Sequence, residues 1–426
     1  AGLGKVWIAV GLLIGYTLSW IFEAKRLHNF SIKAKDSITI PQYLTNRFLS
    51  ASKALQIICA VVFLTAYTVY AASSIKACGT LFNKVIGIDT TVAMYLAAAV
   101  IISYTFLGGF SAVCWTDFFQ GLLILGAMLI APIFAINLTD FARASELPAD
   151  YWNALADWKT MVSGLGWGLG YFGMPHILLR FMAIEDDSKL KTSRRVASVW
   201  VVIAMFIAIF IGIMGLAMSN VGAVPSLTGN DSETIIIKIA SLLSKNGVLA
   251  AILAGVVLSG ILAATMSTAD SQLLAASSSV TQDILDKFMH KKISSRAQMV
   301  IARASLVAIA IIAVFIAWDP DSSAFRIVSF AWAGFGATFG PVVLFALFWK
   351  RSNIYGALAG MISGGVMIFV WKFVVRPMGG AWDIYELLPA FIVACIFIVV
   401  VSLLTPAPDK TITDEFDKVQ QSVRCR

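Results

Sequence analysis

Between Lys245 and Asp270 the chain carries no charged side chain, and this run closes on Thr265, Ser267 and Thr268. A stretch of that length can cross the hydrocarbon core of a bilayer, for which about 20 apolar residues in helical form suffice. Lipid supplies no water to backbone amides, so a crossing segment must satisfy them internally as a helix. Charge-to-charge intervals repeat the pattern along the chain. They predict spans near 6–22, 54–77, 91–110, 118–138, 160–179, 196–219, 246–268, 299–318, 327–349, 353–374 and 387–405. Composition agrees: 59% of residues are hydrophobic and 13% charged, against roughly 25% charged in a soluble domain. The sequence therefore reads as an all-α polytopic membrane protein.

A net charge of +8 could suggest a nucleic-acid partner, but its distribution argues for membrane orientation instead. If the first span runs outside to inside, 21 of the 32 Lys and Arg fall on inner segments and 7 on outer ones. That bias places the C-terminus in the cytoplasm and predicts no nucleic-acid binding. The five Cys are scattered, with neither a disulfide framework nor a metal-ligand spacing. The chain opens directly into a span without an initiator Met, so sequence upstream of Ala1 is expected.

The basic segments 23–53 and 269–298, the second with apolar residues at helical spacing over Val280 to His290, are expected to lie on lipid headgroups as ordinary loops. The mixed-charge tail 406–426 is expected to be mobile and cytoplasmic.

Two spans depart from smooth Leu/Ile/Val helices. Residues 164–176 hold five glycines and Pro175, which weaken a helix repeatedly and predict a discontinuous one. Broken backbone at membrane depth is tolerated only where it is buried in protein or lines a wet cavity, and in secondary transporters it sits at the substrate site. In the ninth span, Ala333 to Pro341 reads as a seam of small residues for close helix packing.

The hydroxyl run has two readings. Ala264, Ser267 and Thr268 stand at i, i+3 and i+4, so the Ala264 carbonyl and both hydroxyls can converge on one helix face as hard-cation ligands. Alternatively, the hydroxyls bond back to an i−4 carbonyl or across to a neighbouring helix. Trp167, Tyr171 and Pro175 recur every four residues and either wall a small-solute pocket or pack as an interfacial belt. Tyr70 is a buried phenol in need of a partner. Asp117, opening the fourth span, is a helix cap or first-turn acid, with an intracellular gate as the rival. His176 reads as a satisfied histidine near a helix end, Arg180 as a positive flank, and Asp270 as a solvated residue at the cytoplasmic mouth. No His-Glu-x-x-His, Gly-x-Ser-x-Gly or phosphate loop occurs, so a membrane hydrolase is poorly supported and no catalytic residue is assigned.

Four segments in register carry a resemblance: Tyr104 to Asp117, Gly166 to Leu178, Leu262 to Leu274 and Ser329 to Phe345. Through nearly its whole length the chain resembles the sodium:solute symporter family. The resemblance implies an inverted-repeat, leucine-transporter-like fold with about 11 of 13 expected transmembrane helices present, the first two, including a core helix, being absent. It also implies one transporter domain over 1–405, with the first-repeat remainder at about 1–140, the second repeat at about 160–350 and two flanking helices at about 353–405. The implied function is sodium-coupled uptake of a small solute by alternating access in a bacterial inner membrane. L-proline is favoured, with pantothenate, a short carboxylate or a sugar, or a transporter-like sensor, as alternatives. Carried over by position, Ala264 (carbonyl), Ser267 and Thr268 become sodium ligands. Tyr70, Trp167, Tyr171 and Pro175 become substrate residues, and Asp117 a coupling residue. One departure is Met174, which stands where a family member with this motif carries a glutamine and so removes a hydrogen-bonding side chain near the implied pocket.

Overall fold

The computed structural model describes residues 2–37, 39–49, 54–138, 149–155, 157–281, 294–318 and 323–424. The described secondary structure is entirely helical, as the charge-free runs require. Nine described helices are long and apolar enough to cross a membrane. The two remaining expected spans are a shorter apolar helix at Thr90–Phe106 and the interrupted segment around Trp167.

The chain begins with α1 (Val6–Leu18), which passes through a π turn at Ser19–Glu23 into α2 (Ala24–Lys33). Next come α3 (Ile40–Arg47), α4 (Ala54–Ile86) and α5 (Thr90–Leu138). The interrupted segment consists of α6 (Trp158–Gly166), a 3-10 stretch (Trp167–Phe172) and α7 (Pro175–Met182). Beyond it lie α8 (Leu190–Asn220), the short α9 (Ile235–Leu243), α10 (Val248–Ser278) and α11 (Ser295–Ala317). The chain closes with α12 (Ala324–Phe348), α13 (Ile354–Val370), α14 (Leu387–Leu404) and α15 (Lys410–Arg424).

The break in the fifth span has a local cause. Met174 is extended because the ring of Pro175 disfavours helical backbone before it, and Pro175 then opens α7 at a position where no amide is needed. Two seams of small residues hold this segment in place. Gly11 and Gly15 of α1 pack directly on Gly164, Leu165 and Gly168, so that a Cβ on Gly15 would overlap the Gly168 carbonyl. On the other side, a Cβ on Gly336 would come 2.8 Å from the Gly170 Cα, and one on Gly173 would come 2.6 Å from the Gly340 amide. The small-residue stretch of α12 is therefore a packing seam, and its partner is the broken helix. Around it α12 forms the centre of the body, with most of its residues from Ala331 to Leu347 buried. Phe63 and Tyr67 of α4 meet Phe339 and Phe335 of α12 at 4.7 and 4.5 Å. On the outside, Val199, Ile203 and Phe206 expose one apolar face of α8, as a lipid-facing helix requires.

Several expectations are corrected. Segment 23–53 is not a headgroup loop: α2 and α3 bury Leu27, Phe30, Ile40, Tyr43 and Leu44 in the main core. The tail is not free either. Residues 410–424 form α15, which buries Ile412, Phe416 and Val419, joins Lys350 to Asp417 and sets Phe416 beneath the Arg47 guanidinium at 5.2 Å. Apolar groups at i, i+4 and i+7 explain this docking. The helical pattern at Val280 to His290 lies mostly outside the described residues, which stop at 281 and resume at 294.

The two spans expected at 91–110 and 118–138 belong to one continuous helical run, α5, with Asp117 inside it rather than at an N-terminus. Asp117 is thus neither a cap nor a first-turn acid. Nothing between Phe106 and Asp117 is a proline, so no residue forces the backbone out of helical geometry. The run is nevertheless bent. The side chains of Tyr104 and Gln120 come close to each other, although a straight helix would hold their Cα atoms about 24 Å apart along its axis.

Candidate functional site

Helix α10 brings the three candidate ion ligands to one face. Ser267 Oγ donates to the Ala264 carbonyl at 3.2 Å and Thr268 Oγ1 donates to the same oxygen at 2.9 Å. The hydroxyls thus bond back into their own helix, and in doing so they gather three oxygens within one turn. Their lone pairs stay available, since each hydroxyl donates a single proton and can still accept. Thr265, on the neighbouring face, is 3.0 Å from Cys78 Sγ, which ties α10 to α4 at this level.

One turn further along, the chain holds an acid at depth. Asp270 is fully buried, and Tyr104 donates to its Oδ2 at 2.7 Å. The expectation of a solvated Asp270 is therefore wrong: α5 and α4 close over this part of α10. The Oδ1 of Asp270 has no partner among the described residues. Asp117 stands beside Ser271 and within the field of Arg180 and Asp270. Sequence reasoning missed Asp270 and Tyr104 because a charge was read as the end of a span.

The solute candidates gather on the other side. Tyr70 lies close to the side chain of Gln272 on α10, whose Oε1 has no partner among the described residues. Gln272 follows Thr268 by one helical turn, so the helix of the candidate ion ligands also carries a neighbour of the candidate solute residue Tyr70. Tyr171 lies close to both Tyr70 and Tyr16, and its ring meets those of Tyr16 and Trp332 edge-on at 5.0 Å each. Trp167 is 7% exposed and stacks with Phe325 at 5.3 Å and Tyr385 at 5.0 Å. Its carbonyl, freed near the helix break, accepts from Trp332 Nε1 at 2.9 Å. Pro175 is buried at the first position of α7.

Met174 is fully buried within the apolar core. His176 is not a satisfied histidine, since its Nδ1 has no partner among the described residues. Tyr16, Trp332 and Tyr385 are neighbours of the candidate residues Tyr171 and Trp167 that no motif signalled; they come from α1, α12 and the connection before α14, which are distant in sequence.

The described residues hold no cluster of three or more His, Cys, Asp or Glu that could bind a metal ion. Hydroxyl and carbonyl oxygens remain, a set suited to a weakly held monovalent ion and unsuited to a transition metal.

The family model described as the sodium:solute symporter family matches residues 1–364. The high-affinity proline transporter PutP of Bacillus subtilis is 36% identical over 430 residues, covering 99% of this chain and 88% of that protein. The sodium/proline symporter of Haemophilus influenzae is 39% identical, with 100% of this chain and 86% of that protein covered. Its Escherichia coli counterpart is 38% identical, with 98% and 82% covered. Among solved structures, a Na+-coupled sialic acid symporter in a substrate-bound outward-open state superposes with a TM-score of 0.70 at 17% identity, over 96% of this chain and 91% of that one. That likeness concerns the fold.

Proposed function

This chain belongs to the sodium:solute symporter family, and we propose that it carries L-proline into the cell together with sodium by alternating access. The observation that carries this reading is the closeness of Tyr70 to Gln272, which stands one turn from Thr268 on the same helix and so supports a solute wall beside the ion ligands. In this reading sodium takes the Ala264 carbonyl and the Ser267 and Thr268 hydroxyls. It thereby fixes α10, Gln272 and the orientation of Tyr70, so an ion-loaded protein presents a finished solute pocket. The pocket is walled by Tyr70, Trp167, Tyr171 and Pro175. A proline zwitterion suits these walls, with an apolar ring for the aromatic faces and a secondary ammonium for their π electrons. The relatives named for proline, at 36–39% identity over nearly the whole chain, support that choice of solute.

The energetics suffice for uphill uptake. At about −100 mV an inward charge gains about 2.3 kcal/mol, and a tenfold sodium gradient adds about 1.4 kcal/mol. One ion per solute then sustains roughly 500-fold accumulation. The excess of Lys and Arg on the proposed inner segments orients the C-terminus toward the cytoplasm of a bacterial inner membrane.

The test is sodium-driven uptake of radiolabelled L-proline by the full-length protein in proteoliposomes, with unlabelled proline, pantothenate, short carboxylates and sugars as competitors. Proline alone should compete fully. Uptake that excess proline leaves untouched would refute proline as the solute, and uptake indifferent to sodium would refute the coupling.

A further inference from the structure

An open cavity of about 670 Å3 lies between α1 with its π turn, α7 and the start of α8, within the size range of small-molecule sites. It is distinct from the solute site, since none of Tyr70, Trp167, Tyr171 and Pro175 lines it. The two are adjacent, however. Tyr16 lines the cavity and meets the Tyr171 ring at 5.0 Å, and the cavity residue His176 directly follows Pro175.

The lining has a consistent chemical character. Its polar groups are Tyr16, Trp20, His176, Arg180, Thr192 and Ser193, and no carboxylate is among the lining residues. The Nδ1 of His176 has no partner among the described residues, and the Trp20 indole lies close to the Tyr16 hydroxyl. Arg180 is exposed and forms no hydrogen bond or ion pair among the described residues; Asp117 and His176 lie within its field. A wall with one exposed guanidinium, several hydroxyl and N–H donors and aromatic rings suits a small anion with an apolar body. Guanidinium binds a carboxylate through two parallel hydrogen bonds, which is geometry as well as charge. The end of the protein carrying Arg180, Lys189, Lys191, Arg194 and Arg195 is the cytoplasmic end by its charge.

We propose that this cavity is a second station for the transported solute, in which Arg180 holds the carboxylate of a small amino acid after it passes the Tyr16–Tyr171 pair toward the cytoplasm. The proposal rests on the transport reading above and adds a binding site to it. It also gives Arg180 two claimants. A carboxylate in the cavity competes with Asp117 for the guanidinium, and Asp117 lies beside Ser271, one turn beyond Ser267. Arrival of solute at the station therefore reaches the ion-bearing helix through one side chain.

The experiment compares the two faces of the full-length protein in oriented proteoliposomes. Arg180→Gln should raise the internal proline concentration for half-maximal efflux about tenfold more than it raises the external concentration for half-maximal uptake, the loss of one charge-assisted contact. Arg180→Lys should restore part of that difference. Equal shifts on both faces, or no shift, overturn the station. A separate readout labels Ser193→Cys with a membrane-impermeant maleimide from the cytoplasmic side. Proline should slow labelling at least threefold and prolinamide, lacking the carboxylate, should not; equal protection by both, or by neither, also overturns it. If the unmodified protein moves no proline, the transport reading fails instead, and protection by acetate and propionate over their amides then decides whether the cavity binds carboxylates.

Discussion

The rings of Trp167 and Tyr385 lie 13° from parallel with centroids 5.0 Å apart. Tyr385 comes from the connection between α13 and α14, outside the broken helix that it supports, and three elements fix it there. Its hydroxyl donates to the Ser329 carbonyl of α12 at 2.6 Å, and its amide donates to Ser163 Oγ of α6 at 3.0 Å. The adjacent Glu386, 1% exposed, accepts from Arg376 at 3.1 Å and faces Lys372 at 3.9 Å. The flanking hairpin thus braces Trp167, a residue of the proposed solute site.

That brace predicts a selective loss. Tyr385→Leu removes the stacked face and should raise the solute concentration for half-maximal uptake about 2- to 10-fold, the range of an aromatic pair worth 0.5–1.5 kcal/mol. Tyr385→Phe keeps the stack and should fall well short of that. Sodium dependence should be unchanged in both. Uptake kinetics over a solute series at saturating sodium provide the check; equal effects of Leu and Phe would assign the role to the hydroxyl instead.

Tyr104 and Asp270 support a second prediction. Tyr104→Phe removes a hydrogen bond from the buried Asp270 side chain, a loss of about 0.5–1.5 kcal/mol. The thermal midpoint of the detergent-solubilised protein should drop. In the Asp270→Asn background the further cost of Tyr104→Phe should shrink, because the hydrogen bond it removes is already altered. A double-mutant cycle on thermal midpoints measures the coupling, and strict additivity would show that the two groups act independently.

Much of this fold was legible because lipid forces a simple rule: uncharged runs of sufficient length become helices. The break at Trp167 to Pro175 was equally legible, since glycine and proline act through local backbone geometry. What escaped were contacts between distant segments. Asp270 marked the end of a run in a count of charges, yet Tyr104 of α5 covers it. The tail looked too charged to fold, although Ile412, Phe416 and Val419 already carried a helical stripe for α2 to bury. No local pattern could have brought Tyr385 to Trp167, because 218 positions of chain separate them.

Glycine contacts around the break give a third prediction. A Cβ at position 168 would overlap the Gly11 carbonyl and reach the Gly15 amide at 3.2 Å, both of them backbone. Backbone cannot rotate away as a side chain can, so Gly168→Ala must part α1 from the broken segment. Overpacking of this kind typically costs about 1–3 kcal/mol. Membrane yield and thermal midpoint should both fall, whereas Gly212→Ala, which meets nothing within 4 Å, should leave both near the unmodified values. Alanine favours a helix over glycine, so propensity alone would raise the midpoint of both variants, and comparable losses in the two would show that the contact with α1 is not the cause.

The ion site makes the sharpest demand, because its hydroxyls serve two masters. Both Ser267 and Thr268 donate to the Ala264 carbonyl, so a purely structural role would be a bond back into the helix that alanine scarcely disturbs. An ion-binding role would instead be lost with the oxygen. Ser267→Ala and Thr268→Ala should each raise the sodium concentration for half-maximal uptake at least about tenfold, the equivalent of about 1.4 kcal/mol. Solute affinity at saturating sodium should change far less. Thr268→Ser, which keeps the oxygen and drops a methyl group, should stay within a few fold of the unmodified protein. Sodium titrations of proline uptake in proteoliposomes decide the matter: an alanine variant with an unaltered sodium curve would return these hydroxyls to the helix backbone and leave the ion to be placed elsewhere.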